Sequence, residues 1–115
     1  MTIDKFHYAI ECLRSPDSLL YDEGYHTLQG EFLRQHLDAV IELWRSETDP
    51  VMRGRLMELL GDSAEPRVVP LLESELASDE AEVRRWALHA LDRVATPEAQ
   101  ALASSHRTKH PEDGE

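Results

Sequence analysis

Apolar residues recur along this chain at helical spacing, in runs separated by Pro, Gly, Ser and Asp. Met52, Leu56, Leu59 and Leu60 fall three or four positions apart, so they share one face of a helix. Asp49 precedes this run as an N-cap, and Pro50 suits the first helical position. Gly61 reads as the end of the helix. Pro66 then opens a second helix with Val69, Leu72 and Leu76 on one side. The unit is helix, short turn, helix. Similar runs predict a first helix over 3–14, with Ile3, Phe6, Ile10 and Leu13 inward, and a second over about 18–29, with Leu20 and Leu28 inward. A third, over 31–45, buries Leu33, Leu37, Val40, Ile41 and Trp44. Helices over 51–60, 67–77, 81–94 and about 98–104 follow. Gly24 either weakens its helix or lets a neighbour approach closely.

The pattern repeats. From Asp49, offsets three, four, seven, ten and eleven give Met52, Arg53, Leu56, Leu59 and Leu60. From Glu80 they give Val83, Arg84, Ala87, Ala90 and Leu91, and from Asp17 they give Leu20, Tyr21, Gly24, Thr27 and Leu28. The three starts, at 17, 49 and 80, are 32 and 31 residues apart, a period typical of stacked repeat arrays. An ordinary helical bundle with chance similarity is the plainer alternative. The first unit matches least well, as befits a terminal repeat with one face in water. No single helix pair has enough apolar face to offset the roughly 1–2 kcal/mol per residue of backbone ordering. Stacking into a shared core is therefore expected.

The stretch from Asp49-Pro-Val-Met-Arg through Leu-Leu-Gly-Asp to Val-Val-Pro-Leu-Leu-Glu-Ser-Glu-Leu resembles the short HEAT-like repeat of the phycobilisome-lyase type. Glu80-Ala-Glu-Val-Arg-Arg-Trp-Ala-Leu-His-Ala-Leu follows the same pattern. The resemblance covers residues 49–103 well and the first 45 loosely. Tyr21 in place of the arginine and the missing glycine after Leu91 are departures. The resemblance implies an all-α fold, a short α-solenoid of about three antiparallel helix pairs with a short C-terminal capping helix. It carries no implication of lyase activity. One domain over 1–104 and a disordered polar tail over 105–115 are expected. Asp49 with Arg53, and Glu80 with Arg84, read as caps and i, i+4 pairs, and the matching residues of HEAT-like families form a structural ladder. All four are assigned to stability.

Charge narrows the function. The 115 residues hold 12 basic and 23 acidic side chains, a formal net charge of −11. Nonspecific nucleic-acid binding needs clustered Lys and Arg, so no nucleic-acid partner is expected. A basic protein partner would be steered in by this charge, although acidity also serves plain solubility. Cys12 is the only cysteine, so no internal disulfide is possible, and it lies off the first helix's stripe as a structural or incidental thiol. No apolar run reaches membrane-spanning length, and the N-terminus does not read as a signal peptide. No membrane partner and a cytoplasmic location are expected.

Catalytic chemistry finds no motif. There is no glycine-rich phosphate loop and no nucleophile elbow. His106 and His110 are four apart, but a structural zinc site needs four ligands. Glu23-x-x-His26 is one arm of a carboxylate-bridged di-iron site, and such sites need two. No metal, no cofactor and no enzyme activity are expected.

In the solenoids this chain resembles, the helix matching the opening helix of each unit lines the concave side. Residues there, opposite or beside the apolar stripe, are the candidate partner-binding set: Asp22, Tyr25, His26, Met57, Glu58, Arg85, Trp86 and His89. Trp86 is either half-buried packing or an exposed anchor, and Trp, Tyr and Arg are the usual anchors of interfaces. The expected function is a non-catalytic protein–protein interaction module, an immunity-type inhibitor of a basic toxin being its most concrete form. The alternative is a structural or self-assembling subunit, a homo-oligomer or part of a larger complex.

Overall fold

Four helices begin where a side chain accepts from their first free amides. In the computed structural model, which describes residues 4–113, helix α1 (Lys5–Arg14) starts with the Asp4 carboxylate accepting from the His7 N–H at 2.8 Å. Helix α2 (Ser18–Thr27) is capped in the same way by Asp17, and α5 (Pro50–Asp62) by Asp49, which accepts from Met52 N–H at 2.9 Å. Helix α8 (Pro97–Lys109) is capped by Thr96. Between them lie α3 (Gly30–Gln35), α4 (Leu37–Ser46), α6 (Val69–Glu75) and α7 (Ala81–Val94), with 3-10 turns at Pro66–Val68 and Pro111–Asp113. No strand occurs among the described residues. Ile3, expected in the first buried stripe, lies outside them, as do Gly114 and Glu115.

The third expected helix is divided at His36. The His36 ring bonds the Phe32 carbonyl through Nδ1 at 2.9 Å, and its backbone N–H turns to the Leu33 carbonyl at 3.1 Å. With that N–H turned to the i−3 carbonyl, the α-ladder breaks there and α4 starts afresh. The same ring stacks on Phe6, with centroids 4.8 Å apart.

Gly61 does not end its helix. Helix α5 runs on to Asp62, and Gly61 is buried against α7, where a Cβ would lie 2.6 Å from the Ala90 carbonyl oxygen. The helix stops one residue later, where the Ser63 hydroxyl donates to the Leu60 carbonyl and Ala64 takes a left-handed φ of 55°. Gly24 serves close approach in α2, since a Cβ there would meet the Ala9 carbonyl oxygen of α1 at 2.6 Å. Cys12 lies in that contact and is buried, the structural of its two expected roles.

Helix α8 extends five residues past its expected end at Ser104. The stretch expected to be a disordered tail from 105 onward is helical to Lys109 and then folds back through the Pro111–Asp113 turn. Composition suggested disorder there, but Asp113 is 2% exposed and bonded by both Arg84 and His106.

The result is an elongated all-α array, 51 × 26 × 23 Å. Tyr21 of α2 meets Arg55 of α5, and Tyr25 meets Asp62. Gly54 of α5 meets Trp86 of α7, and Asp62 meets Arg93. Residue order is thus kept across both contacts, and α2, α5 and α7 lie side by side in the same direction. Helix α1 packs on α2, α4 on α5, α6 on α7, and α8 closes the last unit. Leu13, Leu28, Leu33, Leu37, Leu56, Leu59, Leu60, Leu72, Leu88 and Leu91 are fully buried between these partners. Each such side chain contributes roughly 1.5–3 kcal/mol. Trp44 is core, as its place in the stripe predicts, at 4% exposure. The Arg53 guanidinium lies 4.8 Å from its ring centre.

Candidate interaction site

The face made by α2, α5 and α7 is tied together by a polar network. Asp62 accepts from the Tyr25 hydroxyl at 2.7 Å, from Gln29 Nε2 at 3.1 Å and from Arg93 Nη1 at 2.6 Å. Arg93 also reaches Glu58 at 3.3 Å. One carboxylate therefore joins three successive opening helices. Burial and the bond to Asp62 push the Tyr25 hydroxyl well above the usual tyrosine range, so it acts as a fixed donor. Arg55 pins the same face from below, donating to the Leu13 carbonyl at 2.6 Å while stacking 4.3 Å from the Tyr21 ring centre.

The arginines at offset four behave differently from the expected i, i+4 pairs. Arg53 bonds Glu75 of α6 at 2.7 Å, not Asp49, which is occupied as a cap. Arg84 bonds Asp113 at 2.7 Å and the Ser78 carbonyl at 2.8 Å, not Glu80. Both arginines tie an opening helix to the end of its own unit. Arg84, and then His106, hold the Asp113 carboxyl down to about 2.

The candidate residues divide into two groups. Arg85, Trp86 and His89 come together on α7, where they line one shallow depression with Glu82. Glu58 joins Trp86 and His89 in a smaller one. Arg85 and His89 are exposed, and Trp86 is half-buried. Asp22 and His26 are exposed on α2, where the His26 ring bonds the Asp22 carbonyl at 2.8 Å, and they share no depression with the α7 group. Tyr25 is half-buried and engaged by Asp62. Met57 is not a surface residue: it is 1% exposed. Gly54, one turn earlier, has no side chain, so α7 approaches closely there and screens Met57.

That close approach shapes a groove of about 230 Å³ between α5 and α7. Gly54 and Met57 lie at its base, Val83 and Trp86 form a wall, and Arg53, Glu75 and Glu80 stand around it. The Trp86 ring lies over Gly54, where a Cβ would be 2.5 Å from ring carbon Cε2.

Asp62 and Arg93 were missed by offsets chosen opposite the apolar stripe. Both stand at offset thirteen, one repeat period apart. Stacked repeats place equal offsets side by side, so opposite charges one period apart are the signal that finds such a pair.

Among the described residues, no group of three or more His, Cys, Asp or Glu side chains is placed to hold a metal. The rings of His106 and His110 lie 4.7 Å apart, and His106 bonds Asp113. No described helix is long and apolar enough to cross a membrane.

Neither a curated protein nor a solved structure matches the chain. A family model does, and it covers residues 37–113, more than half of the sequence. With the period, the parallel opening helices and the shared core already in view, that match places the chain in the HEAT-repeat family.

Proposed function

We propose that this protein is a non-catalytic interaction module that binds another protein through the α2–α5–α7 face, with Arg85, Trp86 and His89 as its anchors. The observation that carries this reading is Arg85. Every other arginine among the described residues has a carboxylate or carbonyl acceptor, whereas exposed Arg85 has none and stands beside a half-buried tryptophan. Trp and Arg together are the residues that most often carry binding energy. HEAT repeats commonly serve as protein-interaction modules, which agrees.

Finer points belong to the same reading. The repeats are of the short phycobilisome-lyase type, without lyase activity. The working unit is one domain, and its place is the cytoplasm. The net charge of −11 favours a basic partner, and an inhibitor of a basic toxin is the concrete form. Affinity capture from native extract tests this, with Trp86→Ala/Arg85→Glu protein of wild-type helicity as control. A basic partner held by wild type and lost by the control is expected. Equal retention by both would move the site off this face.

Self-assembly is a second reading, favoured by the open groove of about 410 Å³ between α1 and α4, lined by Phe6, Ile10, Ala39 and Leu43. Light scattering over a range of concentrations decides it. A constant monomer mass would end it.

A further inference from the structure

We propose that the α5–α7 groove receives one arginine or lysine side chain of the partner, its cation held between the Trp86 ring and the Glu80 carboxylate. This deepens the interaction reading and rests on it.

Size sets the class of occupant. At about 230 Å³ the groove is smaller than the roughly 300 Å³ at which pockets for drug-sized ligands begin. It has room for one long side chain. Its wall suits a methylene stem, with half-buried Val83 and Trp86 presenting the apolar surface above buried Gly54 and Met57. Only the head of the occupant must then be polar.

Charge sets the sign. Two carboxylates and one guanidinium stand on the groove. Arg53 and Glu75 neutralise each other across 2.7 Å. Glu80 is left. It occupies the N-cap position of α7, yet its carboxylate makes no cap bond and no ion pair among the described residues. Asp79 and Glu82, its near neighbours in the chain, are exposed and likewise unpaired. The nearby Arg84 is already engaged by Asp113 and the Ser78 carbonyl. Of the charges lining the groove Glu80 alone is unpaired, with an aromatic face beside it, and unpaired Arg85 lines the separate depression that it shares with Glu82, Trp86 and His89. A cation over a tryptophan ring within about 6 Å gains roughly 0.5–2 kcal/mol, and the long apolar stems of Arg and Lys lie readily on apolar surface.

Gly54 makes the arrangement possible. A side chain at that position would displace the indole, as the 2.5 Å approach requires, and would fill the base of the groove. The indole N–H of Trp86 donates to no described residue, and it can take a backbone carbonyl of the segment that delivers the cation.

The test uses the indole N–H signals in ¹⁵N-correlated spectra. The chain has two tryptophans, and buried Trp44 serves as the internal reference. The probe is the blocked tripeptide acetyl-Ala-Arg-Ala-amide, compared with acetyl-Ala-Glu-Ala-amide and acetyl-Ala-Leu-Ala-amide. The arginine peptide is expected to shift the Trp86 signal saturably and leave Trp44 in place. Glu80→Gln, which removes no bond of the fold, should weaken that binding at least threefold. No saturable shift, an equal response to the glutamate peptide, or unchanged affinity in Glu80→Gln would overturn the proposal. The two readings fail separately: a captured partner lost by Trp86→Ala/Arg85→Glu but held undiminished by Glu80→Gln keeps the face and removes the cation subsite.

Discussion

Replacing Gly61 by alanine should destabilise the fold by about 2 kcal/mol, although alanine is the better helix former. Gly61 lies inside α5, and the new Cβ would stand 2.6 Å from the Ala90 carbonyl oxygen and 2.8 Å from Ala90 Cα. Ordinary contact begins near 3.4 Å, so the helices must separate by the difference, about 0.8 Å (3.4 − 2.6). The obstacle is backbone, which cannot swing aside. Overpacking typically costs about 1–3 kcal/mol, and a rigid neighbour puts this site at the upper end. Helix propensity returns about 1 kcal/mol, which leaves a net loss near 2. Gly54→Ala is the matched control. Its Cβ would meet the half-buried Trp86 side chain and no backbone. Cost and propensity there nearly cancel, and the variant should lie within about 1 kcal/mol of wild type. Urea unfolding with an unchanged m-value measures both. At roughly 4–8 °C per kcal/mol for a domain of about this size, Gly61→Ala should also melt about 10 °C lower. Equal or greater stability for Gly61→Ala would refute the reasoning, because propensity alone would then be acting and α5 and α7 would not touch there.

Other perturbations bear on separate links. Leu56→Ala should cost about 2–5 kcal/mol, since Leu56 is fully buried; unfolding like wild type would show that the core face of α5 is misassigned. Tyr25→Phe should cost about 1 kcal/mol, with a double-mutant cycle against Asp62→Ala showing coupling; additive effects would mean the 2.7 Å bond contributes nothing. Asp113→Asn should loosen the end of α8, read as faster amide exchange over 105–109. The carboxyl of Asp113 titrates lower in the fold than its ordinary 3.8. Its contribution is thus complete above about pH 4 and lost as pH falls through about 2. The stability gap between wild type and Asp113→Asn should shrink as pH falls below about 4. A gap that grows below pH 4 would contradict the assignment.

Local periodicity made most of the fold legible. Helix α7 spans the residues its Ala, Leu and Arg pattern predicts, and Trp44 is core for the reason its stripe supplies. Most of the misreadings share one cause: a residue whose role is decided by a partner far along the chain. Gly61 has the look of a helix stop, and only Ala90 of α7 reveals it as a contact. The stretch after Ser104 is polar enough to be disordered, and only Arg84, earlier in α7, explains why it folds back. The break at His36 is local, a turn of its N–H to the i−3 carbonyl that periodicity cannot register. In the candidate site, Arg85, Trp86 and His89 were legible because helix geometry alone puts them together. Met57 was misplaced because its exposure depends on how closely α7 approaches at Gly54.

The proposed interaction face is tested most directly by amide hydrogen exchange of the chain alone and bound to its captured partner. Protection concentrated in α2, α5 and α7, greatest around Arg85–His89, is the predicted result. Protection confined to α4, α6 or the end of α8 would place the partner elsewhere and contradict it.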